Sequence, residues 1–107
     1  MNPRRIHELM LARFPDYRAV DHEWINVCPG SGADENIVAS VLQKYFESPE
    51  VLIEVRRKVG AFLPLGQAIS YIATHVGKGE IRVADRDFCS FAVFASNGVA
   101  TGWRVGA

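Results

Sequence analysis

A chain of 107 residues, 49% apolar and 22% charged, holds a single hydrophobic core. That excludes a disordered segment, and it excludes a pair of domains, each too small to fold without staples. Twelve Lys/Arg balance twelve Asp/Glu, so no net field draws the chain to nucleic acid or to an anionic membrane.

Charge is nonetheless uneven along the chain: residues 1–53 carry five Lys/Arg against eight Asp/Glu, and residues 54–107 carry seven against four. The surface is dipolar if folding keeps the halves apart, and one of scattered solvated charge if it mixes them. At the amino terminus Met1-Asn2-Pro3-Arg4-Arg5 is followed by His7, Glu8 and Arg13, which interrupt the apolar run a signal peptide needs. No stretch approaches the roughly 18 apolar residues of a membrane helix. The expectation is a cytoplasmic chain with Cys28 and Cys89 reduced, because two distant thiols make neither a disulfide framework nor a CxxC pair.

Asn2 as cap and Pro3 at the first position open a helix whose Ile6, Leu9, Met10 and Phe14 line one side, and Pro15 ends it. Periodicity is lost from Asp16 to Gly32, apart from Glu23-Trp24-Ile25-Asn26-Val27, which reads as a short strand anchored by Trp24. Asp34 caps a second helix, with Ile37, Val38, Val41, Leu42, Tyr45 and Phe46 at helical spacing. Ser48-Pro49-Glu50 repeats the start signal and predicts a third helix over 49–59. Its basic triplet Arg56-Arg57-Lys58 suits the negative helix end, and Gly60 suits the left-handed stop. The β-branched run 51–55 also fits a strand, but capping signals at both ends favour the helix.

Pro64 opens a fourth helix over 64–76, striped by Leu65, Ala68, Ile69, Ile72, Ala73 and Val76 and ended by Gly77 and Gly79. Ile81 and Val83 then alternate around Arg82, Asp85-Arg86-Asp87 turns the chain into 88–95, and Asn97-Gly98 fits a two-residue type I′ hairpin. That loop sets Phe94 opposite Thr101 and Ala92 opposite Trp103, placing Phe94, Val99, Trp103 and Val105 on a core face. Phe91 and Val93 then point away, opposite Arg104 and Gly102. The predicted fold is α+β, a single domain over 1–107, with about four helices followed by a three-stranded antiparallel meander and an extra short strand near 23–27. The second face is only partly polar and calls for a cover: the amino-terminal helix, a second copy or a partner.

Chemistry-bearing patterns are few. The turn Cys28-Pro29-Gly30-Ser31-Gly32 precedes a helix start, where backbone N–H groups bind anions and lower a thiol pKa. It lacks the lysine of a phosphate loop and the arginine of a phosphatase loop, and Asp34 and Glu35 follow instead. Asp21-His22-Glu23 holds metal-ligating and proton-moving groups, which diverge in an extended segment. His7 and His75 fall on helices, and Asp85 and Asp87 suit a turn. No pattern calls for a cofactor or a metal.

Helices followed by a hairpin also fit a winged-helix order, with Arg56, Arg57 and Lys58 as the nucleic-acid contacts. Yet Glu50 and Glu54 share that helix, and neither hairpin tip is basic. The favoured expectation is a non-catalytic protein-binding module, on the analogy of size a small intracellular inhibitor of the immunity type or a regulatory adaptor. It would bind a protein partner or self-associate through Phe91, Val93, Arg104 and Trp24, with Tyr17 and Trp103 as further aromatics. The last strand is a second candidate, as an edge able to pair with another chain. The alternatives are the winged-helix regulator and an enzyme or anion site at the Cys28–Gly32 turn.

Overall fold

The segment expected as a third helix is a β-hairpin, and the fold is built around it. The chain, seen as a computed structural model, is described at residues 3–15, 23–30, 32–56 and 59–105. Among these residues lie three helices, α1 (Pro3–Arg13), α2 (Glu35–Tyr45) and α3 (Leu65–His75). Six strands, β1 (Ile25–Asn26), β2 (Glu50–Val55), β3 (Val59–Pro64), β4 (Ile81–Ala84), β5 (Ser90–Phe94) and β6 (Val99–Arg104), form one sheet in the order β1-β6-β5-β4-β2-β3. Every pairing is antiparallel. The α+β class stands; four helices become three, and the meander of β4, β5 and β6 is half of a larger sheet.

The reason lies in burial. β2 runs between β3 and β4, and Val51, Leu52, Ile53, Glu54 and Val55 are all buried. A strand covered on both faces takes a continuous apolar run, whereas a helix at the surface needs a polar side that Val51-Leu52-Ile53 does not supply. Tertiary packing therefore overrides the capping signals of Ser48-Pro49-Glu50. Among the described residues of this segment the left-handed one is Arg56, at φ 54°, and not Gly60, which lies within β3. Arg56 N–H donates to Glu80 O at 2.9 Å, which ties the hairpin tip to the entry of β4.

The other helices follow their signals closely. In α1, Ile6 and Met10 are buried; Asn2, the expected cap, lies outside the described residues. The Asp34 carboxylate caps α2, accepting the N–H groups of Asn36 at 2.8 Å and Ile37 at 3.4 Å. α3 begins one residue after Pro64, buries Ala68 and Ile72, and exits through Gly77 at φ 93°. Of the strand expected over 23–27 only Ile25 and Asn26 pair, with Ala100 and Val99.

The Asn97-Gly98 hairpin is one residue longer than expected. Ala95 N–H bonds Val99 O at 2.8 Å and Gly98 N–H bonds Ala95 O at 3.0 Å; only Gly98 of the tip has positive φ, at 88°. This is a three-residue loop in which a turn is followed by a left-handed glycine. The extra residue shifts the register, so Phe94 faces Ala100, Val93 faces Thr101 and Phe91 faces Trp103. One slip moves a side chain to the other face. Trp103 and Val99 therefore leave the Phe94 side and join Phe91.

Helices cover both faces of the sheet. On one face α2 and α3 pack through Val38, Val41, Leu42, Ala68 and Ile72 onto Val51, Ile53, Val83, Ala92 and Phe94. On the other, α1 sets Ile6 and Met10 against Leu52, Ala84 and Phe91. Of the three covers expected for that second face, the amino-terminal helix occupies it. Phe14, just past α1, meets Phe91 edge-on at 5.2 Å and Trp103 at 5.9 Å, while Phe91 and Trp103 stack at 5.4 Å. No helix among the described residues is long and apolar enough to cross a membrane.

Candidate functional site

The four residues expected to bind a partner do not form one patch. Phe91 and Val93 are 1% and 0% exposed, Phe91 beneath α1. Trp24 is 42% exposed at the far edge, beside β1. Arg104 points to the opposite face from Phe91, and its Nε donates to Tyr45 O at 2.9 Å while its Nη1 meets Glu47 Oε1 at 3.2 Å. A cation on the last carbonyls of α2 is a favourable helix-end contact, which gives Arg104 a structural role. Tyr17 lies outside the described residues.

The Cys28 turn does lie against a groove of about 330 Å³, shared with Gly77 and with Asn97 and Gly98 of the last hairpin. Two N–H groups of the first turn of α2, those of Asn36 and Ile37, are held by the Asp34 carboxylate itself. Glu35 adds a second negative charge there, so the field at this helix start disfavours an anion. Its fold is fixed locally instead: Asn26 Oδ1 accepts Cys28 N–H at 2.9 Å, and Val27 N–H bonds Gly98 O at 2.9 Å. Ser31 lies outside the described residues, as do Asp21 and His22 of the acidic-histidine segment, whose Glu23 is exposed. No three His, Cys, Asp or Glu side chains among the described residues gather as a metal site would require.

Asp85 and Asp87 have turn roles. Asp85 Oδ1 accepts Cys89 N–H at 2.8 Å and Ser90 N–H at 3.3 Å, holding a turn in which Phe88 takes φ 55°. Asp87 O accepts Arg13 Nη2 at 3.2 Å, and the Arg13 guanidinium lies 4.6 Å from the Phe88 ring, so this turn fastens the end of α1. His75 Nδ1 lies 2.8 Å from Tyr71 O in the last turn of α3, where a helix-end imidazole belongs.

A buried polar row was missed by sequence reasoning. Glu54, 1% exposed, stands opposite Arg82 in the β2–β4 register, and its Oε2 is 2.7 Å from His7 Nδ1 on α1. Arg82 Nε donates to Glu80 Oε1 at 3.3 Å, with its guanidinium 5.5 Å from the Phe14 ring. Further across the same face Thr101 is fully buried and its Oγ1 has no hydrogen-bond partner among the described residues. The only signal was Glu54 inside an apolar run, which a helix reading takes as a solvated position. An unpaired buried hydroxyl costs about 1–3 kcal/mol, so Thr101→Val, of nearly equal shape, is expected to stabilise the fold by about 1 kcal/mol. For a domain of this size that raises the melting temperature by roughly 4–8 °C. A lower melting temperature would show that the hydroxyl has a partner.

The remaining feature is the outer edge of β3. Leu65 N–H bonds Pro49 O at 2.8 Å, and with the β2–β3 register this makes residues 59, 61 and 63 the ones whose backbone groups face β2. The N–H and C=O groups of Gly60 and Phe62, and the carbonyl of Pro64, point out of the sheet. No strand among the described residues pairs with that side. The expected edge, the last strand, is instead flanked by β1 at Val99 and Ala100. β3 reads Val-Gly-Ala-Phe-Leu-Pro, without a charge, and Val59 is 43% exposed. Arg56 stands at the tip that leads into it, with Arg57 and Lys58 outside the described residues. Arg56, the described member of the basic triplet, thus stands at the end of a strand pair rather than on a recognition helix.

Compared with protein-family models, curated proteins and solved structures, the chain matches none.

Proposed function

We propose that the chain is a non-catalytic protein-binding module that takes up a strand of its partner along the outer edge of β3. The observation that carries this reading is the composition of that edge. Exposed edge strands are ordinarily protected by charged side chains, bulges or extreme shortness; β3 is six residues long, uncharged, and interrupted only by Pro64 at its end. Strand addition draws affinity from the outward backbone groups and specificity from alternate side chains. In this role the chain acts without chemistry of its own, its partner being either a second copy or a different protein that it occupies as a small inhibitor or regulatory adaptor.

Gly60→Pro provides the test, because its N–H points outward and no intramolecular ladder bond is lost, a placement proline tolerates on an edge strand. Affinity capture from lysate of the source organism, with and without nuclease, is expected to recover a stoichiometric protein with the native chain and to lose it with Gly60→Pro, while far-UV circular dichroism stays unchanged. Equal recovery by both chains overturns the edge as the binding surface. Nucleic acid that disappears with nuclease would place function at the basic tip instead.

A further inference from the structure

Resting on the strand-addition reading, we infer that the strand received by β3 is the β3 of a second copy, antiparallel and centred on Ala61. The outward groups are those of Gly60 and Phe62, and an antiparallel hydrogen-bonded pair exchanges two bonds between residues directly opposite. With Ala61 on the two-fold axis, Gly60 faces Phe62 of the second copy and Phe62 faces its Gly60. All the outward N–H and C=O groups of these two residues are then satisfied. Centring on Phe62 sets Gly60 against Pro64, which has no N–H to offer the Gly60 carbonyl.

Side chains agree with the same register. On the α1 face the ring of Phe62, half-buried and 5.7 Å from the Arg86 guanidinium, meets Gly60 of the second copy, where no side chain competes for space. An aromatic ring over an edge glycine is a favourable cross-strand pair. On the α2–α3 face Val59, 43% exposed, meets Leu63, and Ala61 meets its own copy. The segment 59–63 is therefore complementary to itself about its centre, which an edge built for an unrelated strand does not require. Zero formal net charge removes the like-charge barrier between copies.

The test is disulfide trapping in a chain with Cys28→Ser and Cys89→Ser, with sedimentation equilibrium on the unaltered chain. Two residues at position 61 form a non-hydrogen-bonded pair with Cα atoms about 4.5 Å apart, within disulfide reach. Two residues at position 59 are displaced by four positions, roughly 13 Å. Mild oxidation is expected to trap Ala61→Cys at least tenfold faster than Val59→Cys, and sedimentation is expected to give twice the 11.9 kDa chain mass. Mixing Val59→Cys with Leu63→Cys chains should also trap, which keeps the test intact if position 61 tolerates no change. Equal trapping at 59 and 61, or a monomeric mass at high micromolar concentration, overturns the second copy as occupant. A monomer whose captured protein is lost with Gly60→Pro rejects the dimer but keeps strand addition; capture indifferent to Gly60→Pro rejects strand addition itself.

Discussion

Phe91→Ala is expected to lower the unfolding free energy by about 3–5 kcal/mol, the range for removing a buried aromatic ring and leaving a cavity. Phe91 is 1% exposed and is walled by the rings of Phe14, Phe88 and Trp103, which collapse poorly into a void, with Met10 as the more adaptable neighbour. Domains of this class hold only about 5–15 kcal/mol in total, so the loss is about a fifth of stability or more. Urea unfolding should show a lower midpoint with the slope unchanged, and the near-ultraviolet signal of Trp103 should weaken. A midpoint within experimental error of the native chain would mean that α1 does not seal this face, and Phe91 would again stand as a surface anchor.

Gly102→Ala should cost about 1–3 kcal/mol by overpacking, and for a reason that local sequence does not disclose. A methyl group there would stand 2.3 Å from Tyr45 Cδ2, 2.7 Å from Tyr45 Cγ and 2.8 Å from Phe91 O. The ring of Tyr45, at the end of α2, lies directly over the β6 backbone, and Arg104 then bonds Tyr45 O from the same strand. A double-mutant cycle with Tyr45→Ala separates the two obstacles: removing the ring should recover part of the loss, and Phe91 O should retain the rest. Strict additivity of the two substitutions would show that the α2–β6 contact is looser than the geometry indicates.

The two predictions bracket what could be read ahead of the structure. Phe91 was legible as a residue of a half-apolar second face, and α1 was one of the covers weighed for it. Gly102 was not, because its constraint comes from a side chain 57 residues away in sequence. Among functional features, the outward edge was foreseen on the last strand. The edge proposed for binding is instead that of β3, which begins where local signals read a helix over 49–59, while β1 flanks the last strand at Val99 and Ala100. The Cys28–Gly32 turn was legible as a loop before a helix, and so was Asp34 as its cap. That this cap occupies two of the donors an anion would use appears only when the carboxylate is seen on Asn36 and Ile37.

From the sequence alone came the α+β class, the spans of α1, α2 and α3 to within a residue or three at each end, the positions of β4, β5 and β6, and the face that carries Phe94. These rest on local physics: apolar spacing, proline and aspartate at helix starts, glycine at exits. The tertiary structure decided whether 49–59 is helix or strand, where the final register lies, and which strand is left at the edge. Each of those depends on interactions among segments far apart in the chain. Residues 51–55 become a strand because β3, β4 and helices on both faces bury them together, and a three-residue loop exchanges the faces of Val99 and Trp103 without altering the composition of either strand.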